Sequence, residues 1–368
     1  MKEIGNLTIS NSQVDKWADC PTKWKFHYID RIRSVYKPSS LFFGSAMDEA
    51  LGRMKLSKKK PESFTEEERK LMEFTVEEVF LNTLRRQEHN GEEIDLKFSP
   101  LTSYFKSDFD LSLLTDEDFQ EVSDFATEND LEISVDEIEL FMEECFAILK
   151  KGQLSGVELL TYNLIGWLSL YRKGLILIDG YEKDIMSQIK EVFDIQKKVE
   201  LPDGCGNTYI GYIDYTAIFL DEPETYYVCD DKTSSRAYPE DSVQTSTQLA
   251  SYCEFEKTNK AAYSVVEKKI RKRNPRYRTQ LIRDEIPEEQ FVLTFQRIND
   301  TIDGIEDSLR SGEFPKAKYR EGGEKNCYFY GRKCEYYGMP ECHGVPKTEL
   351  SDIGLVKLED KTEESNNG

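Results

Sequence analysis

Three β-rich runs follow one another between residues 189 and 232, and no other feature of the chain restricts its fold as much. The runs 189–201 and 208–220 alternate apolar and polar side chains, and 225–232 is rich in aromatic and β-branched residues. Pro202-Asp203-Gly204 and Asp221-Glu222-Pro223 separate them. Connections that short leave only an up-and-down meander. Residues 241–257 then read as a helix and 261–270 as a further strand, and a long helix spans 287–310 before Gly312, Phe314 and Pro315. The short apolar run 174–178 reads as one more strand. Upstream, Ser12 can cap a helix carrying Val14, Trp17, Ala18 and Trp24, and 41–55 and 64–86 are also helical in pattern. The expectation is an α/β fold with a central mixed sheet flanked by helices.

The chain has 368 residues, of which 38% are hydrophobic, with 20 Phe and 20 Tyr, enough for a substantial core. Residues 91–150 carry 18 acidic side chains against three lysines, a net of −15 within a total of −21. Apolar residues such as Phe109, Leu114 and Phe125 punctuate this stretch, so it reads as an acidic helical insertion rather than disorder. It is either a solvated face, a surface for a protein partner, or a mimic of DNA charge. The expected division is a helical part over 1–90, the insertion over 91–159, a core over 160–312, a cysteine-bearing segment over 313–348 and a flexible tail over 349–368. A globally basic nucleic-acid coat is excluded, although a local basic patch is not. No apolar run is long enough for a membrane span, and MKEIGNLTISNSQ has no apolar core of a signal peptide. The expectation is a cytoplasmic protein whose eight cysteines are thiols or metal ligands.

Four short signals surround the meander: Gly44 with Asp48 and Leu51, Gly211-Tyr212-Ile213-Asp214, Asp230-Asp231-Lys232, and Gln248 with Tyr252. Alternation turns Asp230 and Lys232 to one face and Asp231 to the other. Asp214, on the neighbouring strand, could join Asp230 in holding a hard divalent cation through oxygen. A nearby cation and burial would lower the pKa of Lys232, letting it position or deprotonate a water. Gln248 and Tyr252 share a helix face and could meet a phosphate or base edge. Taken singly, these are an ordinary surface ion pair and an ordinary amphipathic helix. With only three histidines, His27, His89 and His343, a three-His zinc site is all but excluded.

The order Gly-x-x-x-Asp, Gly-x-Ile-Asp, Asp-x-Lys, Gln-x-x-x-Tyr resembles the PD-(D/E)XK nuclease superfamily, in particular its RecB/AddB-like exonuclease branch. The resemblance implies a restriction-endonuclease-like core and covers about residues 9–55 and 160–345. It implies Mg²⁺ or Mn²⁺ on Asp214 and Asp230, with Asp48 standing where the family usually has a histidine. It makes Lys232, Asp214, Asp230, Gln248 and Tyr252 the catalytic set. The implied activity is hydrolysis of DNA, as single strands or duplex ends, in recombination, repair or phage DNA processing, with a helicase or recombination protein as a possible partner. The competing reading is an inactive nuclease scaffold that binds a partner through its acidic insertion.

The same branch often gathers one N-terminal and three C-terminal cysteines on a [4Fe–4S] cluster. Cys20, Cys327, Cys334 and Cys342 match that layout, though the C-terminal spacing is Cys-x6-Cys-x7-Cys. Structural zinc on these ligands, or with His343 in place of Cys342, is the alternative. Lys268, Lys269, Arg271, Lys272, Arg273, Arg276, Tyr277 and Arg278 form the densest cationic run and are candidates for phosphate contact and base stacking. Their plain reading is a solvated strand end and loop.

Overall fold

The structure is a computed structural model describing residues 6–104, 108–149, 154–268, 277–316, 327–329, 332–342, 349–351 and 354–358. Its main sheet contains β1 (Thr8–Ser10), β2 (Ile189–Pro202), β3 (Thr208–Phe219), β4 (Tyr226–Ser234), β5 (Lys260–Glu267) and β6 (Arg278–Glu285). β2, β3 and β4 form the expected antiparallel meander, β4 runs parallel to β5, and β6 lies antiparallel to β5. β1 joins parallel to β3 along the edge that β4 also uses. The fold is therefore α/β with a central mixed sheet.

The helices are α1 (Asn11–Asp19), α2 (Pro21–Tyr28), α3 (Ser39–Lys55), α4 (Glu66–Leu71), α5 (Val76–Arg85), α6 (Asp116–Glu128), α7 (Ile138–Leu149), α8 (Gly156–Asp184), α9 (Thr247–Glu256) and α10 (Glu288–Ser311). Local chemistry sets their ends. Thr65 with Glu68, Thr75 with Glu78, and Thr115 with Asp118 form reciprocal capping boxes at α4, α5 and α6. The Ser246 hydroxyl accepts from the Leu249 N–H to start α9, and Gly312 at φ 75° ends α10.

One face of the sheet packs under α3, α5 and α8, in a core that includes Phe43, Phe80, Trp167, Tyr181 and Tyr215. The other packs under α1, α9 and α10, around Val14, Tyr209, Leu249 and Ile298. Val122, Ala126, Ile138 and Met142 of the acidic stretch belong to the first core, so α6 and α7 are built onto α8.

Three expectations need correction. Residues 174–178 belong to α8, a helix buried nearly all round, which leaves no 3.6-residue polar rhythm to read. β6 was absent from the sequence reading, because its half-polar RTQLIRDE lacks strand composition. Part of the tail is paired, since Leu355–Lys357 runs antiparallel to Ile32–Ser34.

Candidate metal centre and cysteine pocket

β3 carries two partners on one edge and runs unpaired between them. β1 occupies Thr208–Ile210 and β4 occupies Tyr215–Ile218. Asp214 lies where β4 has just splayed away. The Asp231 N–H donates to Asp214 Oδ2 at 2.7 Å, in place of a strand-to-strand ladder bond. At the same level, Tyr215, Ala217 and Phe219 pack in the core under α8, whereas Tyr209 and Ile213 pack in the core under α9. β2 follows this change of layer with a register shift between Val192 and Ile195 and with Gln196 at φ 52°.

The splay exposes Asp214 to α3. Asp48, Asp214 and Asp231 each offer a carboxylate oxygen within 4.8 Å of the other two, the one such group among the described residues. Gln196 Nε2 donates to both Asp48 oxygens at 3.3 Å. Burial, followed by the opposing pull of Lys55 and the push of neighbouring carboxylates, raises Asp48 to about 6. Burial and then Asp230, Asp231 and Asp48 hold Asp214 well above the usual carboxylate range. All-oxygen donors short of positive charge suit a hard divalent cation.

Asp230 and Asp231 do face opposite ways, and it is Asp231, not Asp230, whose carboxylate lies with Asp48 and Asp214. Asp231, expected to turn away, joins Asp48 and Asp214. It also pairs with Lys55 and accepts from Tyr181 Oη at 2.8 Å. Lys55 is 1% exposed and lies 4.4 Å from the Tyr215 ring centroid. Asp230 lies outside the triad, paired with Lys232 and accepting from Gln248 Nε2 at 2.9 Å. It still acts electrostatically on Asp48 and Asp214. Lys232 also donates to Gln248 Oε1 at 3.1 Å. Burial works to lower the Lys232 pKa, but Asp230 and Asp214, with no cation beside them, outweigh it and raise it.

The glycine of Gly-x-Ile-Asp has a packing reason. A Cβ on Gly211 would lie 2.5 Å from Tyr252 Cε1, so only glycine lets the α9 ring rest on β3. Gln248 Nε2 also donates to Tyr252 Oη at 3.1 Å, which fixes the amide that holds Asp230. The sequence reading missed Lys55, Tyr181, Asp231 and Gln196. Lys55 had a signal, since it follows Asp48 by seven residues and so shares its helix face.

Cys20, Cys327, Cys334 and Cys342 line a single enclosed pocket with Asp19, Lys23, Tyr336 and Tyr337. Among the described residues, no three of these sulfurs lie within 4.8 Å of one another. Burial, then the other three cysteines, pushes the Cys342 thiol up to about 12. Lys23 and Glu335 act in opposite directions on Cys334, and Lys316 acts on Cys342, so the surround carries both signs of charge. His343 lies outside the described residues.

Three residues of the cationic run, Lys268, Tyr277 and Arg278, are described. Lys268 is largely enclosed, with its ammonium 5.6 Å from the Phe43 ring centroid. Tyr277 packs against Gly180 of α8, and Arg278 begins β6 and pairs with Glu267 at 3.2 Å. Lys269, Arg271, Lys272, Arg273 and Arg276 lie outside the described residues.

Among the described residues, no helix is long and apolar enough to cross a membrane. Compared with known proteins, the chain matches no family model and no curated protein.

Proposed function

We propose that this chain is a metal-dependent DNA nuclease of the PD-(D/E)XK type, an exonuclease with a restriction-endonuclease-like core. The observation that carries the reading is the convergence of Asp48, Asp214 and Asp231 at the splayed end of β3 and β4, beside the Asp230–Lys232–Gln248 unit. Asp48, Asp214 and Asp231 would hold Mg²⁺ or Mn²⁺, with Asp230 adding negative charge behind them. Such an ion supplies Lewis-acid activation of a phosphodiester.

The chain's own groups supply the rest. Lys232 keeps its proton and offers a fixed positive charge to a phosphate oxygen. Gln248 holds Lys232 and Asp230 in register, and Tyr252 holds Gln248. Lys55 neutralises part of the carboxylate charge from the core side, which lets three acids stand together before any cation binds.

The cofactor proposed for the pocket shared by Cys20, Cys327, Cys334 and Cys342 is a [4Fe–4S] cluster, with structural zinc as the alternative. Protein purified without oxygen is expected to show broad visible absorbance and about four irons per chain. A colourless protein containing zinc would replace the cluster with the alternative metal.

The activity test is degradation of end-labelled DNA with Mg²⁺ or Mn²⁺. Asp214→Asn and Lys232→Ala are each expected to reduce the rate by at least about a hundredfold. Full activity in both variants would refute the site. Joint action with a helicase or recombination protein is part of the same proposal, and stimulation of the parent rate by such a partner would support it.

A further inference from the structure

Beyond the carboxylates, the β2–β3 ribbon leaves one side open. Val199, Leu201, Tyr209 and Ile213 point into the core under α9. The alternate residues Gln196, Lys198, Glu200 and Tyr212 are exposed. Tyr212 is 50% exposed, a large aromatic surface left open among the described residues. Cross-strand register sets Lys198 directly opposite Tyr212, and side chains paired that way share a face. Gln196, two residues before Lys198, reaches Asp48, so this open face is continuous with the acidic triad. Tyr212 precedes Asp214 by two strand residues, a rise of roughly 7 Å.

We infer that Tyr212 is a stacking platform for an unpaired nucleobase of the substrate strand; Lys198 opposite it is held in an ion pair with Glu200. The inference rests on the nuclease reading above and deepens it, because it specifies single-stranded nucleic acid as the substrate at this site. Base–aromatic stacking needs a base whose face is free, and a paired, stacked duplex does not present one. Burying a tyrosine ring against a base also removes apolar surface from water, which adds to the stacking energy. Of the cationic run, Lys268 and Tyr277 pack inward and Arg278 pairs with Glu267, whereas the Tyr212 face is open and adjoins the triad.

The test uses the full chain with a short fluorescently labelled DNA strand, alone or annealed to its complement. Binding is measured by anisotropy with Ca²⁺ in place of Mg²⁺, and cleavage with Mg²⁺. Tyr212→Ala is expected to weaken single-strand binding by roughly tenfold or more and to raise KM more than it lowers kcat. Tyr212→Phe keeps the ring and should restore both, and duplex binding should barely respond to either change. Because the side chain is half exposed, an unchanged melting temperature will show that both variants fold. If the parent binds and cleaves single strands and Tyr212→Ala does so equally well, the platform is refuted while the nuclease reading stands. Equal losses for single strand and duplex would also refute it. A parent that neither binds nor cleaves DNA removes the nuclease reading and this inference with it.

Discussion

At the scale of single residues, the site is a group of acids kept close against their own repulsion. Asp48 shows the consequence. Its carboxyl ordinarily titrates at 3.8, and burial with its neighbours moves it to about 6 in the fold. Folding therefore binds a proton between those values. The group's contribution to stability is present below about pH 4 and is lost as pH rises through about 6. A bound cation needs the ionised carboxylate, so stabilisation by Mn²⁺ should grow over that same rise. Asp48→Asn removes both dependences. Without metal at pH 7 the variant should be more stable than the parent by on the order of 1–3 kcal/mol, with the difference closing near pH 4. It should also lose most of the Mn²⁺-induced rise in melting temperature. A full Mn²⁺ response in Asp48→Asn would show that the ion does not bind there. Asp48 and Asp214 do converge, and helix and strand periodicity decide which way they face. The sequence could not choose between Asp230 and Asp231, since alternation separates the two faces without saying which one meets α3.

At the scale of elements, the site depends on how closely α9 approaches β3. Gly211 allows that approach, because an added methyl would overlap the Tyr252 ring. Gly211→Ala should destabilise the fold by about 1–3 kcal/mol and displace Gln248 from Asp230, lowering cleavage more than stability alone explains. Gly44 is the control, since its added Cβ meets nothing closer than 3.8 Å and alanine favours the helix. Denaturant unfolding of the two variants checks the contrast, and equal effects would remove the special role of Gly211. The meander, α9, β5 and α10 were legible because each carries a clear period or a turn signal. β6 was not, because an edge strand with one polar face resembles a loop. The splay of β3 from β4 was not legible either, since the apolar alternation of β3 continues unbroken through Asp214.

Across the whole molecule, two features lie far from the carboxylates and still bear on them. The acidic helices α6 and α7 share the core of α3, α5 and α8, and Arg172 of α8 pairs with Asp118 of α6 at 2.7 Å. Their charge is thus carried on an integral part of the fold, not on a removable appendage. The cysteine pocket acts on the other side. Among the described residues, the small core around it buries Phe26, Ile32, Tyr336, Met339 and Leu355, while Ile9, Val14 and Trp24 tie β1, α1 and α2 to the core under α9, so a cross-link here would join two packed units. Cys20 follows α1 directly, and β1 before α1 pairs with β3 one residue short of Gly211. A metal centre on the four cysteines would therefore clamp β1 against β3 and brace the strand that carries Asp214. Cys334→Ser, or removal of the metal, is expected to increase hydrogen exchange in α1, α2 and residues 332–342 at least tenfold. Exchange in α8 should stay slow, because its core does not depend on the clamp. DNA cleavage should fall in step with the loss of protection around β1. If those segments stay protected in Cys334→Ser, packing alone holds the ends, and the pocket has no bracing role.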